Sequence, residues 1–272
     1  MRCKMSELVQ IAKEIRRLTV ECIASFGSGH IGGSLSIVDV LTALYYKEMN
    51  VDPKNPNKEN RDRLVVSKGH SGPAVYATLA HKGYFEKSEL KTLNKIGTNL
   101  PSHCDMNKVP GVDMTTGSLG QGISCAVGCA IASKIKNNGA YIYTIIGDGE
   151  SQEGQVWEAA MFAAHKQLDN LIVFLDFNHC QIDGTIEEVV DNGMFFEKFN
   201  SFGFDTYSID GHNIELICET IEKAKQVKGK PHMIILNTVK GKGVSFIEEM
   251  GVKNHSIPIT KEDLEKALRE LE

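Results

Sequence analysis

The sequence predicts an α/β fold in which a doubly wound, mostly parallel sheet is flanked by helices on both faces. Apolar, β-branched runs at residues 141–146, 171–176 and 233–236 alternate with helical patterns, as expected for a parallel sheet. No internal repeat, low-complexity tract or interdomain linker divides the 272 residues. We therefore expect a single domain over residues 1–272.

The first two helices are predicted from periodicity and from capping residues. Apolar side chains recur every three or four positions over residues 8–26, which predicts a long amphipathic helix. A second helix is predicted over residues 36–49, because Ser36 and Asp39 form a capping-box pattern at its start.

The rest of the chain alternates between strands and helices. Residues 51–63 contain two prolines and predict an exposed loop, which leads into a short strand at 64–66. Further elements are predicted as helices over 119–136, 155–166 and 214–227 and as a strand over 206–209. A closing helix is predicted over 260–271, with Thr260 and Asp263 forming its cap.

Composition excludes several classes of function. The 30 Lys and Arg residues are fewer than the 35 Asp and Glu residues and are scattered, so we expect no nucleic acid and no membrane as partner. No apolar run reaches the roughly 18 residues of a membrane span, and the first residues lack a signal-peptide core. Seven cysteines without a CxxC pair favour a reducing compartment. These features predict a cytoplasmic protein.

Polar residues follow two neighbouring strands of the predicted sheet. Gly147, Asp148 and Gly149 come directly after one strand, and Asn178 follows the next strand, 30 positions after Asp148 (178 minus 148). The carboxyl ends of parallel strands meet at the edge where α/β sheets bind ligands. Carboxylate and amide oxygens suit Mg²⁺, and glycines let backbone amides approach a phosphate. Either turn alone is equally typical of ordinary loop geometry.

Together the two turns resemble the thiamine-diphosphate signature, and the whole chain resembles the diphosphate-binding domain of transketolase. Five further blocks resemble transketolase blocks and follow in the family's order, at residues 28–32, 67–70, 102–103, 110–122 and 254–256. A series of motifs in the correct order is much more specific than any one motif.

The resemblance implies a thiamine diphosphate site with a Mg²⁺ ion, for which Ca²⁺ or Mn²⁺ would substitute. It makes the side chains of Asp148 and Asn178 and the backbone carbonyl of Cys180 the metal ligands. It places Gly117 against the aminopyrimidine. The other cofactor contacts that it implies are His70, Leu119, Gly147, Gly149 and Glu153.

Histidines occupy four positions where transketolases gather imidazoles around the substrate channel. The resemblance implies catalytic roles for His30, His103 and His255, beside the cofactor contact of His70. An imidazole suits this work because it titrates near neutrality and both donates and accepts hydrogen bonds. The remaining histidines are expected to be ordinary surface or core residues: His81, His165, His179, His212 and His232.

Glu153 is a further catalytic candidate. It matches a family glutamate that meets its counterpart, or a neighbouring carboxylate, across the subunit interface, where two carboxylates share a proton. From the residues alone, an exposed glutamate in the first turn of a helix, stabilised by the helix dipole, accounts for it equally well.

The resemblance also implies a partner chain. In transketolase a second, pyrimidine-binding domain supplies the glutamate that activates the cofactor. Because the predicted helix over 260–271 closes the pattern, we expect that domain on a separate C-terminal transketolase subunit, in an α2β2 assembly. The complex would move a two-carbon ketol unit from a ketose phosphate to an aldose phosphate, as in the pentose phosphate pathway. The chain alone would bind cofactor weakly and catalyse nothing.

Three alternatives remain open from the sequence. The α subunit of a thiamine-dependent 2-oxo acid dehydrogenase shares the signature, although its decarboxylation does not require histidines at positions 30, 103 and 255. A 1-deoxyxylulose-5-phosphate synthase-like enzyme resembles the first blocks, although residues 67–70 are more similar to transketolase. A non-catalytic cofactor-binding module would tolerate damage to the metal ligands, which are intact.

Overall fold

The computed structural model describes residues 4–272; Cys3 and the two residues before it lie outside the described part. The strands are β1 Ser28–Gly29, β2 Arg63–Val66, β3 Ile142–Gly147, β4 Leu171–Phe177, β5 Asp205–Asp210, β6 His232–Asn237 and β7 Ile257–Pro258. The α-helices are α1 Met5–Phe26, α2 Gly32–Leu35, α3 Val38–Ala43, α4 Gly72–Lys82, α5 Gln121–Lys136, α6 Gly154–His165, α7 Ile186–Val190, α8 Phe195–Ser201, α9 Ile214–Gln226, α10 Ser245–Glu249 and α11 Lys261–Glu270. Short 3₁₀-helices cover Gly69–Ser71, Lys87–Thr92, Glu150–Gln152 and Gly251–Asn254, and a π-helix covers Leu44–Glu48.

Strands β2 to β6 form one parallel sheet in the order β2-β3-β4-β6-β5. The carboxyl ends of β3 and β4 are level, because Gly147 lies opposite Asp176. The central strands are buried along almost their whole length, as expected when helices cover both faces. The predicted doubly wound sheet is confirmed. A separate two-residue antiparallel pair joins β1 to β7.

Two hydrophobic cores lie on the two faces of this sheet. Along β4, Ile172 and Phe174 pack into the core shared with α1, α3, α4 and α9. Val173 and Leu175 point the other way, into the core shared with α5, α6 and α8. Each such buried side chain contributes about 1.5–3 kcal/mol, so both faces hold the strand ends in place.

Helix α1 is the predicted amphipathic first helix. It buries Leu8, Ile15 and Ile23 and packs against α3 and α4. It ends at Gly27, whose φ of 94° lies in the left-handed region that favours glycine. No helix within residues 4–272 is both long enough and apolar enough to cross a membrane.

The predicted second helix over residues 36–49 is wrong in its bounds and in its cap. The segment begins just after α2 and contains α3 and the π-helix. Ser36 has helical backbone angles (φ −62°, ψ −30°) and its hydroxyl donates to Asp176 Oδ2 at 2.7 Å. Asp39 is paired with Arg16. Because both side chains bond to distant elements, neither caps a helix.

The later elements follow the prediction more closely. The strand over 206–209 is β5, and the α11 cap is present: Thr260 Oγ1 accepts from the Asp263 amide at 3.1 Å, and Asp263 Oδ2 accepts from the Thr260 amide at 2.9 Å. Helix α5 begins two residues later than predicted, because Gly120 has a φ of 81°. Helix α4 was not predicted, because it is buried on nearly every side and has no polar stripe.

Candidate functional site

A cavity of about 380 Å³ opens at the carboxyl edge of the parallel sheet. The residues that follow β3 and β4 form part of its wall, at the position where open α/β sheets bind ligands. All the residues that the resemblance assigns to the site line this cavity: His30, His70, His103, Gly117, Leu119, Gly147, Asp148, Gly149, Glu153, Asn178, Cys180 and His255.

Asp148 is a buried residue in the cavity wall, and backbone amides donate hydrogen bonds to its carboxylate. Its Oδ2 accepts from the amides of Asn178 at 2.9 Å and His179 at 2.7 Å, and its Oδ1 accepts from the Gly149 amide at 2.8 Å. Burial raises the pKa of Asp148 to about 7, and the negative charge of Asp176 adds to this rise. A cation bound beside Asp148 would favour its charged form.

Asn178 and Cys180 lie next to this carboxylate. Asn178 Nδ2 donates to Asp176 Oδ2 at 2.9 Å, and Asn178 Oδ1 accepts from the Cys180 amide at 3.2 Å. The backbone carbonyl of Cys180 accepts from Lys240 Nζ at 3.4 Å. Burial raises the pKa of the Cys180 thiol, so the thiol stays protonated and its carbonyl is the better ligand.

These oxygens fit a hard divalent cation. Mg²⁺ in proteins takes carboxylate, amide and carbonyl oxygens and completes its shell with water and phosphate oxygens. Within residues 4–272, Asp148 Oδ1 and Asn178 Oδ1 each accept a single hydrogen bond, so each retains a lone pair. In the same part of the chain no three His, Cys, Asp or Glu side chains are grouped so that they could hold a metal ion, and among these oxygens only Asp148 contributes a side chain of those types.

Two buried lysines that the sequence analysis missed also line the cavity. Lys68 donates to Asp176 Oδ2 at 2.6 Å. Lys240 Nζ lies 3.4 Å from the Cys180 carbonyl oxygen and 3.4 Å from His255 Nδ1, and burial lowers its pKa. Lys68 is neutralised by Asp176, whereas Lys240 forms no ion pair within residues 4–272, so the Lys240 ammonium is available to a diphosphate. Lys68 belongs to the block at residues 67–70, which gave a signal for it, whereas Lys240 has no local motif.

Glu150 was also missed, although it lies two positions after Asp148. Its buried carboxylate accepts from the Gly120 amide at 2.8 Å, the Gly147 amide at 3.0 Å and the Ser67 hydroxyl. Burial raises its pKa. Glu150 therefore links the turn after β3 to the start of α5 by hydrogen bonds, and it forms part of the cavity wall.

The four site histidines form one cluster. The ring centroid of His30 lies 5.4 Å from that of His70, 5.4 Å from that of His103 and 5.3 Å from that of His255. No group within residues 4–272 hydrogen-bonds the ring nitrogens of His30, His70 or His103. Since all four rings line the cavity, these nitrogens are available to a ligand.

The cluster is neutral at physiological pH. Burial lowers the pKa of His30 and His103 and brings the pKa of His70 well below its usual range. Burial and the Lys240 ammonium lower the pKa of His255 to about 4. Each neutral imidazole offers one N–H donor and one nitrogen acceptor.

The mouth of the cavity includes Gly117, Leu119 and Glu153. A Cβ on Gly117 would lie 3.4 Å from His103 Cδ2, so this backbone runs directly beside the histidine cluster. Leu119 is 37% exposed despite its apolar side chain. Glu153 is exposed and lies at the N-cap of α6, one position before the first turn in which the sequence placed it.

Comparisons with known proteins agree with this geometry. Residues 8–271 match the family model for the transketolase thiamine diphosphate binding domain. The chain belongs to the transketolase family. It is 54% identical to the 6-deoxy-6-sulfo-D-fructose transketolase subunit SqwG of Clostridium sp. (strain MSTE9), over 98% of this chain and 96% of that subunit. It is 41% identical to an apulose-4-phosphate transketolase subunit of Phocaeicola vulgatus, over 97% of this chain and 92% of that subunit.

A solved transketolase from Campylobacter jejuni has the same fold, with a TM-score of 0.91 and 34% identity. The match covers 99% of this chain but 43% of that transketolase. The family match and the near full-length similarity to separate subunits identify the chain as the N-terminal, thiamine-diphosphate-binding subunit of a split transketolase. Members of this family are transferases, so the prediction of an enzyme is confirmed.

Proposed function

We propose that the chain, with a C-terminal partner subunit, transfers a two-carbon ketol unit between sugars using Mg²⁺ and thiamine diphosphate. The observation that carries this proposal is that one cavity contains the oxygen donors, two lysines and four histidines. The partner supplies the pyrimidine-binding domain, which we place on a separate chain in an α2β2 assembly. The relatives named as subunits support the need for a partner.

Asp148, Asn178 and the Cys180 carbonyl would hold Mg²⁺, and Ca²⁺ or Mn²⁺ would substitute for it. Gly147, Gly149 and His70 would contact the diphosphate. Lys240 adds positive charge beside it, and Lys68, paired with Asp176, also lines this part of the cavity. When bound, thiamine diphosphate supplies the carbon nucleophile that cleaves the bond next to the ketose carbonyl. Gly117 and Leu119 would contact the thiamine end, because they lie at the cavity mouth.

His30, His103 and His255 would hold the sugar and move its protons. As neutral imidazoles, they both donate to and accept from sugar hydroxyls. A lysine ammonium only donates, so the contact of Lys240 with His255 Nδ1 places the proton of this imidazole on Nε2. His255 thereby presents an N–H donor away from Lys240.

Glu153 would contact the second subunit pair. It is exposed beside the cofactor cavity, so a carboxylate on a docked chain would have access to it. Two such carboxylates would share a proton, as the resemblance implies.

The cysteines within residues 4–272 are free thiols, which supports a reducing, cytoplasmic location.

The ketose donor is the part of the reaction in which the relatives differ. The relative at 54% identity is named for 6-deoxy-6-sulfo-D-fructose, and a relative at 41% for apulose 4-phosphate. We propose a donor ketose with a terminal anionic group, and of the two anions we favour the sulfonate because that relative is more similar. The acceptor is an aldose phosphate.

A ketol-transfer assay tests the proposal. The chain is purified alone and as the complex recovered by tagging it in its own cell. Each sample is assayed with Mg²⁺, thiamine diphosphate, an aldose phosphate and one of four donors: 6-deoxy-6-sulfofructose, fructose 6-phosphate, apulose 4-phosphate or the 2-oxo acid pyruvate. We expect transfer by the complex only, fastest with the sulfonate. Turnover of a 2-oxo acid instead would contradict the proposal, and a preference for a phosphate donor would correct the substrate.

A further inference from the structure

Asp176 is a fully buried carboxylate directly beneath the cofactor cavity. It is the sixth residue of β4 and lies two positions before Asn178. Its Oδ2 lies 2.6 Å from the buried Nζ of Lys68, and the two groups form an ion pair. The group is therefore an anion inside the protein, where an anion needs a specific reason to be stable.

Four donors from four different segments converge on this carboxylate. Oδ2 accepts from Lys68 Nζ at 2.6 Å, Ser36 Oγ at 2.7 Å and Asn178 Nδ2 at 2.9 Å. Oδ1 accepts from Thr238 Oγ1 at 2.6 Å. A carboxylate with this many donors is fixed in place, and it fixes the donors in turn.

The contact with Asn178 decides which end of that amide faces the cavity. An ionised carboxylate only accepts hydrogen bonds, so the amide nitrogen must point toward Asp176 and the amide oxygen must point away from it. The opposite orientation would place the amide oxygen against the carboxylate and turn the NH₂ group toward the Cys180 amide N–H, which Oδ1 accepts in the structure. The amide oxygen is the atom that would bind a cation.

We propose that Asp176 is a positioning residue for the metal site: it locks the Asn178 amide with its oxygen toward the cation. Lys68 neutralises the charge of Asp176, which would otherwise stand beside Asp148 without a counter-ion. This inference rests on the proposed function, since it requires Asn178 to be a metal ligand.

The test measures the Mg²⁺ dependence of thiamine diphosphate binding by calorimetry, on the complex with the partner subunit. Asp176→Leu removes the acceptor while keeping the same branched arrangement of side-chain heavy atoms, and we expect the apparent Mg²⁺ affinity to fall about 10- to 100-fold. Ser36→Ala is the matched control: it removes one hydrogen bond to the same carboxylate but leaves the Asn178 contact, and should change the affinity little.

Rescue separates positioning from a general structural role. Asn178→Asp has an oxygen at both ends, so its orientation needs no control. In the Asp176→Leu background we expect this change to raise the apparent Mg²⁺ affinity at least about 10-fold more than it does in an Asp176→Asn background, where an amide oxygen still accepts from Asn178 and no carboxylate repels the new aspartate. The same variants are repeated in a Lys68→Met background, because there the loss of Asp176 leaves no ammonium group at position 68 without its counter-ion. Thermal unfolding checks that each variant folds.

Each outcome decides one claim. A larger gain in the Asp176→Leu background supports the positioning role. Equal gains in both backgrounds, or unchanged affinity in Asp176→Leu, would overturn it. Absence of any Mg²⁺-dependent binding in the wild-type complex would instead contradict the proposed function.

Discussion

Histidines inside and outside the cavity differ in what their ring nitrogens contact. Three histidines outside it have both ring nitrogens within hydrogen-bonding distance of protein groups: His81, His212 and His232. Within residues 4–272, the rings of His30 and His103 have no such contact. Because these two rings line the cavity with their nitrogens unpaired, the nitrogens are available to bind a group that the chain does not supply.

Two buried aspartates show the same contrast. A larger cavity, of about 630 Å³, lies beside Asp39, where the carboxylate is paired with Arg16 and with His212. There the charged groups satisfy one another and stabilise the fold. At the cofactor cavity, Asp148 keeps lone pairs beside two lysines and four histidines. Cavity size therefore does not identify the site, whereas unused hydrogen-bonding capacity does.

The largest expected effect is at Asp148. Asp148→Ala removes the carboxylate of the proposed metal site, and we expect it to abolish cofactor-supported ketol transfer by the complex while the fold is retained. Calorimetry with thiamine diphosphate and Mg²⁺, with circular dichroism for the fold, measures both. Asp52→Ala, at an exposed loop position, is the control. Retained transfer at saturating Mg²⁺ would remove Asp148 from the metal site.

His103 should matter for turnover and much less for the cofactor. His103→Ala removes one unpaired imidazole from the cavity, and we expect kcat to fall between about 100- and 10,000-fold. The affinity for thiamine diphosphate, measured by calorimetry on the same complex, should be unchanged. A loss of cofactor affinity would show that His103 contacts the cofactor rather than the substrate.

His212 should show the opposite pattern. Its Nδ1 lies 2.8 Å from Asp39 Oδ2, and its Nε2 accepts from the Val239 amide at 2.8 Å. His212→Ala removes the hydrogen bond to the Asp39 carboxylate and the one to the Val239 amide, so we expect a loss of about 1–3 kcal/mol in the free energy of unfolding, with little change in cofactor binding. Denaturant titration measures the loss, with the exposed His165→Ala as control. A variant that is as stable as wild type but binds the cofactor more weakly would contradict the structural role of His212.

The smallest expected effect is the pH dependence contributed by His255. Its pKa is about 4 in the folded chain and near 6.5 when unfolded, so the unfolded chain binds more protons between these values. The contribution of His255 to stability is present above about pH 6.5 and is lost as pH falls toward 4. We therefore expect the unfolding midpoint of His255→Gln to decrease less than that of wild type on acidification. Parallel pH curves for the two proteins would contradict this assignment.

The sequence predicted the parts of the site that depend on strand ends. Asp148 and Asn178 follow buried strands with clear boundaries, so a parallel sheet brings them together whatever the loops do. Lys240 could not be predicted from its neighbours, because its place in the cavity depends on how the segment after β6 folds back. The second helix was misjudged because the side chains of Ser36 and Asp39 are engaged with β4 and α1 respectively. Tertiary contacts of this kind leave no local pattern.

The central claim is that this cavity is the cofactor half of an active site completed by a second chain. A crystal structure of the two-subunit complex with Mn²⁺ and thiamine diphosphate, with anomalous data at the manganese edge, tests it most directly. The account predicts an anomalous peak in contact with Asp148, Asn178 and the Cys180 carbonyl, with the diphosphate beside Lys68 and Lys240. A peak elsewhere, or a cofactor bound in the larger cavity beside Asp39, would contradict it.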